Sequence, residues 1–204
     1  IIADSKNTRL QHDSSHISRT GDAIKQNEGQ AISSFPRRLA RKLGLAKQRS
    51  AKDPYEYLKS IPRYQEVIVE LLGKEFRIAD SLSFYASYTE IFRDEIYKFQ
   101  STKTKPVIID CGSNYGTSII YFKSIYPGAR ITGIEADPSI FELLQTNIEA
   151  SGFNDITLLN KAVSSSLEPI RFYSEGADGG RTHPVEGINA GAVIETVSLD
   201  ALID

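Results

Sequence analysis

Between Val107 and Val163 the chain alternates short apolar runs with helical patterns: "VIID", "TSIIYFKSIY", "RITGIE", a helix opening at Asp137, and "DITLLNKAV". The first run is continuously apolar, as expected of a strand with both faces covered. Pro127 and Gly128 stop the first helix. Asp137 caps the second, Pro138 takes its first position, and Ile140, Leu143, Leu144 and Ile148 form its buried stripe before Ser151 and Gly152 end it. Two strand–helix units this compact imply parallel strands joined by right-handed crossovers, hence a doubly wound, mostly parallel α/β sheet.

The flanks read differently. "EVIVELLGKEFRIAD" places two apolar runs around Gly73 and Lys74, which predicts a β-hairpin. Asp80 follows as a helix cap, with Leu82, Tyr85, Ala86, Thr89 and Phe92 along the expected buried side. A polar linker, "QSTKTKP", leads into the first parallel strand. Beyond Val163, "EPIRFY" and "AVIETVSL" read as strands separated by a glycine-rich loop from Ser174 to Asn189, and an antiparallel hairpin is expected because no helix crosses between them. The division expected is residues 1–50, a mobile basic tail; residues 51–105, a hairpin and helix extension; and residues 106–204, the ligand-binding domain.

Charge supports that division. The net charge is −2, but residues 1–50 carry ten Lys or Arg against four Asp or Glu, leaving −8 on the rest. No nucleic-acid partner is expected. Within the tail, "SSFPRRLARKLGLAKQR" predicts an amphipathic helix with a basic face, suited to a weak contact with an acidic membrane surface. A single cysteine, Cys111, and the lack of a long apolar run point to a cytoplasmic protein. His12, His16 and His183 have no metal-ligand spacing, so no metal is expected.

The strand "VIID" runs into "CGSNYG", where Gly112 and Gly116 let backbone approach a ligand beyond the strand ends. Glu135, at the end of the second strand, lies nineteen residues past Gly116, near the spacing at which a carboxylate accepts two ribose hydroxyls. Together they describe a nucleoside site. Dinucleotides and S-adenosylmethionine are the two candidates, and Asp110 separates them. A carboxylate beside the turn repels pyrophosphate but attracts the cationic amino group and sulfonium of S-adenosylmethionine. The GxxxG spacing also departs from the dinucleotide pattern GxGxxG.

The chain resembles the FkbM-like S-adenosylmethionine-dependent methyltransferases in "SFYASYTEIFRDEIYKF", in "VIIDCGSNYGTSIIYFKSIYPGARITGIEADPSIFELLQTNI", in "LLNKAV" and in "TVSLDALID". The resemblance implies a Rossmann-like class I methyltransferase sheet that O-methylates a hydroxyl on a sugar or natural product. It implies Asp110 near the methionine amino group, and Gly112, Ser113, Asn114 and Gly116 around the methionyl and ribose part. Glu135 would hold the ribose hydroxyls, Ala136 and Asp137 would flank the adenine, and Lys161 with Ala162 would present backbone to its edge. Plain structural uses stand beside these: a left-handed turn for Asn114, a helix cap for Asp137, a solvated strand end for Lys161. No catalytic base is identified.

The chain departs from that family where relatives add a fourth parallel strand after "SLDALID", so the sheet is expected to be truncated with an open apolar edge on its first strand. In the Ser174–Asn189 loop, Asp178, Arg181 and His183 belong either to a surface hairpin or to an acceptor-facing wall. Two rival functions remain at this stage: an NAD(P)-dependent oxidoreductase, and a non-catalytic methyltransferase fold serving as a binding module.

Overall fold

A computed structural model describes residues 1–3, 53–177, 179–184 and 191–203. The chain divides into two compact units, Ile1–Gln11 with Tyr57–Asp204, and His12–Glu56. In the second, Asp53 Oδ1 accepts from the Tyr55 N–H at 3.0 Å. The predicted basic helix lies outside the described residues. Everything below concerns the first unit.

Strand β1 (Ile2–Ala3) lies against the edge expected to be open: it pairs antiparallel with the first parallel strand, Ile2 opposite Ile109 and Ala3 opposite Ile108. The predicted hairpin is β2 (Val67–Leu71) and β3 (Lys74–Ile78). Leu72 and Gly73 between them have φ of +51° and +76°, the two left-handed positions that match the twist of a tight hairpin. Alternation then buries Val69, Leu71, Phe76 and Ile78 on one face.

Asp80 caps α1 (Ser81–Tyr88), accepting from the Ser83 N–H at 2.9 Å. The buried side is not the one expected. Leu82 is 37% exposed and Ala86 is exposed, while Phe84 is fully buried. The reason is tertiary: Phe84 packs on Phe76 of the hairpin, with ring centroids 5.9 Å apart. From Thr89 to Arg93 the helix widens into a π turn, with the Asp94 N–H donating to Thr89 O at 2.9 Å. Rings of Phe84, Tyr88, Phe92 and Tyr121 then follow one another at 6.1, 5.3 and 5.3 Å, tying this segment to the next helix.

The alternating region folds as predicted: β4 (Val107–Cys111), α2 (Thr117–Ile125), β5 (Arg130–Ile134), α3 (Pro138–Ser151) and β6 (Ile156–Leu159). β4, β5 and β6 are parallel neighbours, and the sheet order is β1-β4-β5-β6. Ile108, Ile119, Phe122, Ile131 and Leu144 lie in the core. Lys123 is buried with them, its ammonium donating to Ala129 O and Pro127 O at 2.5 and 3.4 Å, where it closes the turn after α2.

The C-terminal part contains β7 (Ala162–Val163), β8 (Ile170–Ser174), β9 (Gly180–Arg181), β10 (Ala192–Ile194), β11 (Thr196–Val197) and the short α4 (Asp200–Ile203). The expected antiparallel hairpin is β8 with β10, and β9 adds to its other edge. A parallel pair was not expected, yet β11 lies parallel to β7. Hairpin β8–β10 takes the place of a crossover helix between them, an arrangement that hydrophobic periodicity does not announce. No helix among the described residues is long and apolar enough to cross a membrane.

Candidate functional site

The turn after β4 takes its shape from three left-handed residues: Gly112 (φ +76°), Asn114 (φ +48°) and Gly116 (φ +98°). The expected left-handed role of Asn114 is observed. A Cβ on Gly112 would meet nothing within 4 Å, so that face of the backbone is open to a ligand. Gly116 is different. A Cβ there would lie 3.0 Å from Leu144 Cδ1, so glycine is needed both for φ and for the close approach of α3.

Every backbone N–H of this turn already has an acceptor. Those of Gly112 and Ser113 both donate to Ile134 O at 2.9 Å, and that of Gly116 to Ser113 O at 2.9 Å. The Asn114 N–H donates to Glu135 Oε2 at 2.9 Å, and the Tyr115 N–H to Asn114 Oδ1 at 2.7 Å. Ser113 Oγ adds a cross-brace, donating to Asp110 O and accepting from the Ile134 N–H. A turn that binds phosphate presents free N–H groups to the anion. Here they point into the protein's own carbonyls and carboxylate.

Asp110 lies beneath this turn and not on its surface. Pleating puts its side chain on the same face of β4 as Ile108, and at 2% exposure its Oδ2 accepts from Ser118 Oγ in the first turn of α2, at 2.5 Å. Burial pushes its carboxyl above the usual range, against the lowering effect of the Ser118 and Ser113 hydroxyls. The carboxylate expected near a ligand amino group is thus held below the turn by Ser118. Ser118 was missed in the sequence because its partner is eight residues earlier, across the turn.

Glu135 is the hinge of the site. It is 9% exposed, with Oε2 on the Asn114 N–H and Oε1 on the Asp137 N–H, both at 2.9 Å. Burial raises its pKa, while the Asp137 and Asn114 amides oppose the rise. A carboxylate has about four acceptor positions, so roughly two remain for ligand hydroxyls. Asp137 caps α3 through Oδ1, which accepts from the Ser139 and Ile140 N–H groups, so its structural role is the one observed. Its Oδ2 is buried with no hydrogen-bond partner.

Ala136 is tied to the next strand end by Asn160, whose Nδ2 donates to Glu135 O at 2.9 Å and to Ala136 O at 3.3 Å. Asn160 stands directly before Lys161 and Ala162, and that adjacency was the available signal for it. Lys161 makes an ion pair with Glu195 at 2.9 Å. The Ala162 N–H donates to Glu195 O at 2.9 Å, within the β7–β11 pair. Asp110, the turn and residues 135–137 thus gather at the carboxyl ends of β4 and β5, with Lys161 and Ala162 beside them through Asn160. Asp178 lies outside the described residues, Arg181 is paired with Glu175 in its own hairpin, and His183 is exposed.

No family model matches the chain. A stretch of 97 residues is 33% identical to the methyltransferase sdnD of Sordaria araneosa, covering 43% of this chain and 38% of that protein, so the match spans well under half of the curated relative. Among solved structures, TYW2 of M. jannaschii in complex with AdoMet aligns at a TM-score of 0.38 and 17% identity, over 53% of this chain and 54% of that one. The methyltransferase FkbM of Methylobacillus flagellatus KT aligns at a TM-score of 0.34 and 19% identity, over 52% of this chain and 24% of that one.

Proposed function

We propose that this chain carries the cofactor-binding part of an S-adenosylmethionine-dependent methyltransferase of the FkbM-like kind, acting on a hydroxyl of a sugar or natural product. In this reading residues 106–204 are the cofactor domain, residues 51–105 an extension, and the basic residues before them a weak contact for an acidic membrane surface. The observation that carries the proposal is the closed hydrogen bonding of residues 112–116. A turn with its N–H groups committed offers nothing to a pyrophosphate, which argues against the nicotinamide alternative. The identity with a named methyltransferase, which extends over part of each chain, favours the same reading.

The residues present suit the cofactor. Glu135 retains acceptor positions for ribose hydroxyls, and the open face of Gly112 admits a ligand against backbone. When ionised, Asp110 below the turn favours a cation above it, and a cation bound there in turn favours the ionised form against the cost of burial. S-adenosylmethionine supplies a methyl group on a sulfonium, open to in-line displacement by an oxygen. The chain's own residues hold the nucleoside and orient the donor; the group that takes the acceptor's proton is not assigned. Calorimetric titration of the folded protein with S-adenosylhomocysteine should give a saturable heat, and titration with NADH should give none. No heat from the first, or a saturable heat from the second, would reverse the proposal.

A further inference from the structure

Two contacts from outside the crevice converge on the glycine turn. Asn147, on α3 and 1% exposed, uses its whole amide. Its Oδ1 accepts from the Arg77 N–H at 2.7 Å, and its Nδ2 donates to Arg77 O and to Tyr115 O, both at 2.8 Å. The first two bonds imitate the pair that a neighbouring strand would make with β3. The third reaches the turn itself, since Tyr115 lies between Asn114 and Gly116. The Tyr115 ring meanwhile packs on Phe76 of β3, centroids 6.1 Å apart and edge to face, and on Phe84 of α1 at 6.4 Å. One residue of the turn is therefore gripped by both its carbonyl and its ring, and both grips lead to the hairpin and its following helix.

We infer that hairpin β2–β3 and α1 are part of the cofactor-binding apparatus, with Asn147 as the positioning residue that couples their docking to the glycine turn. The physical need is clear at Asn114, a non-glycine residue held at φ +48°, a conformation that persists where its surroundings over-determine it. Asn147 and Tyr115 supply that determination from one side, and Glu135 from the other. The identity of the ligand rests on the function proposed above; the coupling between hairpin and turn does not.

Hydrogen exchange separates the two. In the wild-type protein, the amides of Asn114, Gly116 and β3 are expected to share one opening free energy across a denaturant series. Asn147→Ala should speed exchange at residues 114–116 and weaken S-adenosylhomocysteine binding about tenfold, the size expected for one or two net hydrogen bonds lost. Phe99→Leu, a change at a buried ring just before the linker, should lower stability without singling out the turn or shifting the affinity. Turn amides that exchange in Asn147→Ala as in the wild type would overturn the inference, as would hairpin amides that open in the wild type while the turn stays closed. The wild-type comparison decides the matter even if Asn147→Ala does not fold. A wild-type protein that fails to bind S-adenosylhomocysteine would sink the cofactor reading instead, with exchange still deciding the coupling.

Discussion

Glu135→Gln is the sharpest perturbation of the site, because it keeps shape and removes one acceptor. The carboxylate holds two backbone amides at 2.9 Å. Glutamine keeps one oxygen, and its NH2 then faces the other amide. One buried N–H loses its partner, at about 1–3 kcal/mol of stability. In the proposed complex, two ribose hydroxyl bonds to an anion, each worth roughly 1.5–3 kcal/mol, would become one bond to a neutral oxygen. Affinity should fall by about 2–4 kcal/mol, or roughly 30- to 1000-fold in Kd. Calorimetry with S-adenosylhomocysteine measures this, with thermal melts on the same samples to report the structural share. A ribose-dideoxy analogue should lose much of its affinity for the wild type and little more for the variant. The pH dependence has a defined sign. Burial raises the Glu135 pKa above 4.5, and ligand hydroxyls favour the charged form, so affinity is full above the raised value and falls as pH drops through it. In Glu135→Gln that limb should vanish. An unchanged Kd in a destabilised variant would refute the reasoning and leave Glu135 as a brace alone.

Three further outcomes are expected. Burial pushes the Asp80 carboxyl up, but bonds from the Tyr64 N–H, Arg63 and Ser83 outweigh it and hold the pKa at about 2 instead of 3.8. The resulting stability, roughly 2 kcal/mol, is present above the unfolded value and lost as pH falls toward 2, and acid titration of Asp80→Asn should lack that limb. Burial lowers the Lys123 pKa, so the folded state releases its proton first and stability gains as pH climbs toward 10.5; alkaline melts should show that gain in the wild type and not in Lys123→Met. Gly116→Ala combines φ of +98° with a Cβ 3.0 Å from Leu144, and should cost about 2 kcal/mol or more in urea unfolding.

What was legible in the sequence was whatever depends on neighbours along the chain. The parallel strands, the capping aspartates at 80 and 137, and the left-handed Asn114 are set by local pattern, and each is found where expected. What failed was set by contacts distant in sequence. Phe84 displaced Leu82 from the buried side of α1 because Phe76 was there to receive it. Thr196 and Val197 found a parallel partner because a hairpin, and not a helix, makes the crossover. Asp110 was read correctly as acidic at a strand end, but pleating and Ser118 turned it inward, which no spacing rule conveys. Asn147 and Asn160 escaped notice since a single asparagine in a helix or at a strand end has no distinctive pattern.

The closure of residues 112–116 has a consequence for selectivity inside a cell. ATP shares its adenosine with the proposed methyl donor and is abundant, so a pocket that recognised adenosine alone would stand permanently blocked. A triphosphate entering here would shed its water and find the amides of residues 112–116 already committed, with a carboxylate below. In the proposed site, withheld hydrogen bonds would weigh against such a rival without any wall to keep it out.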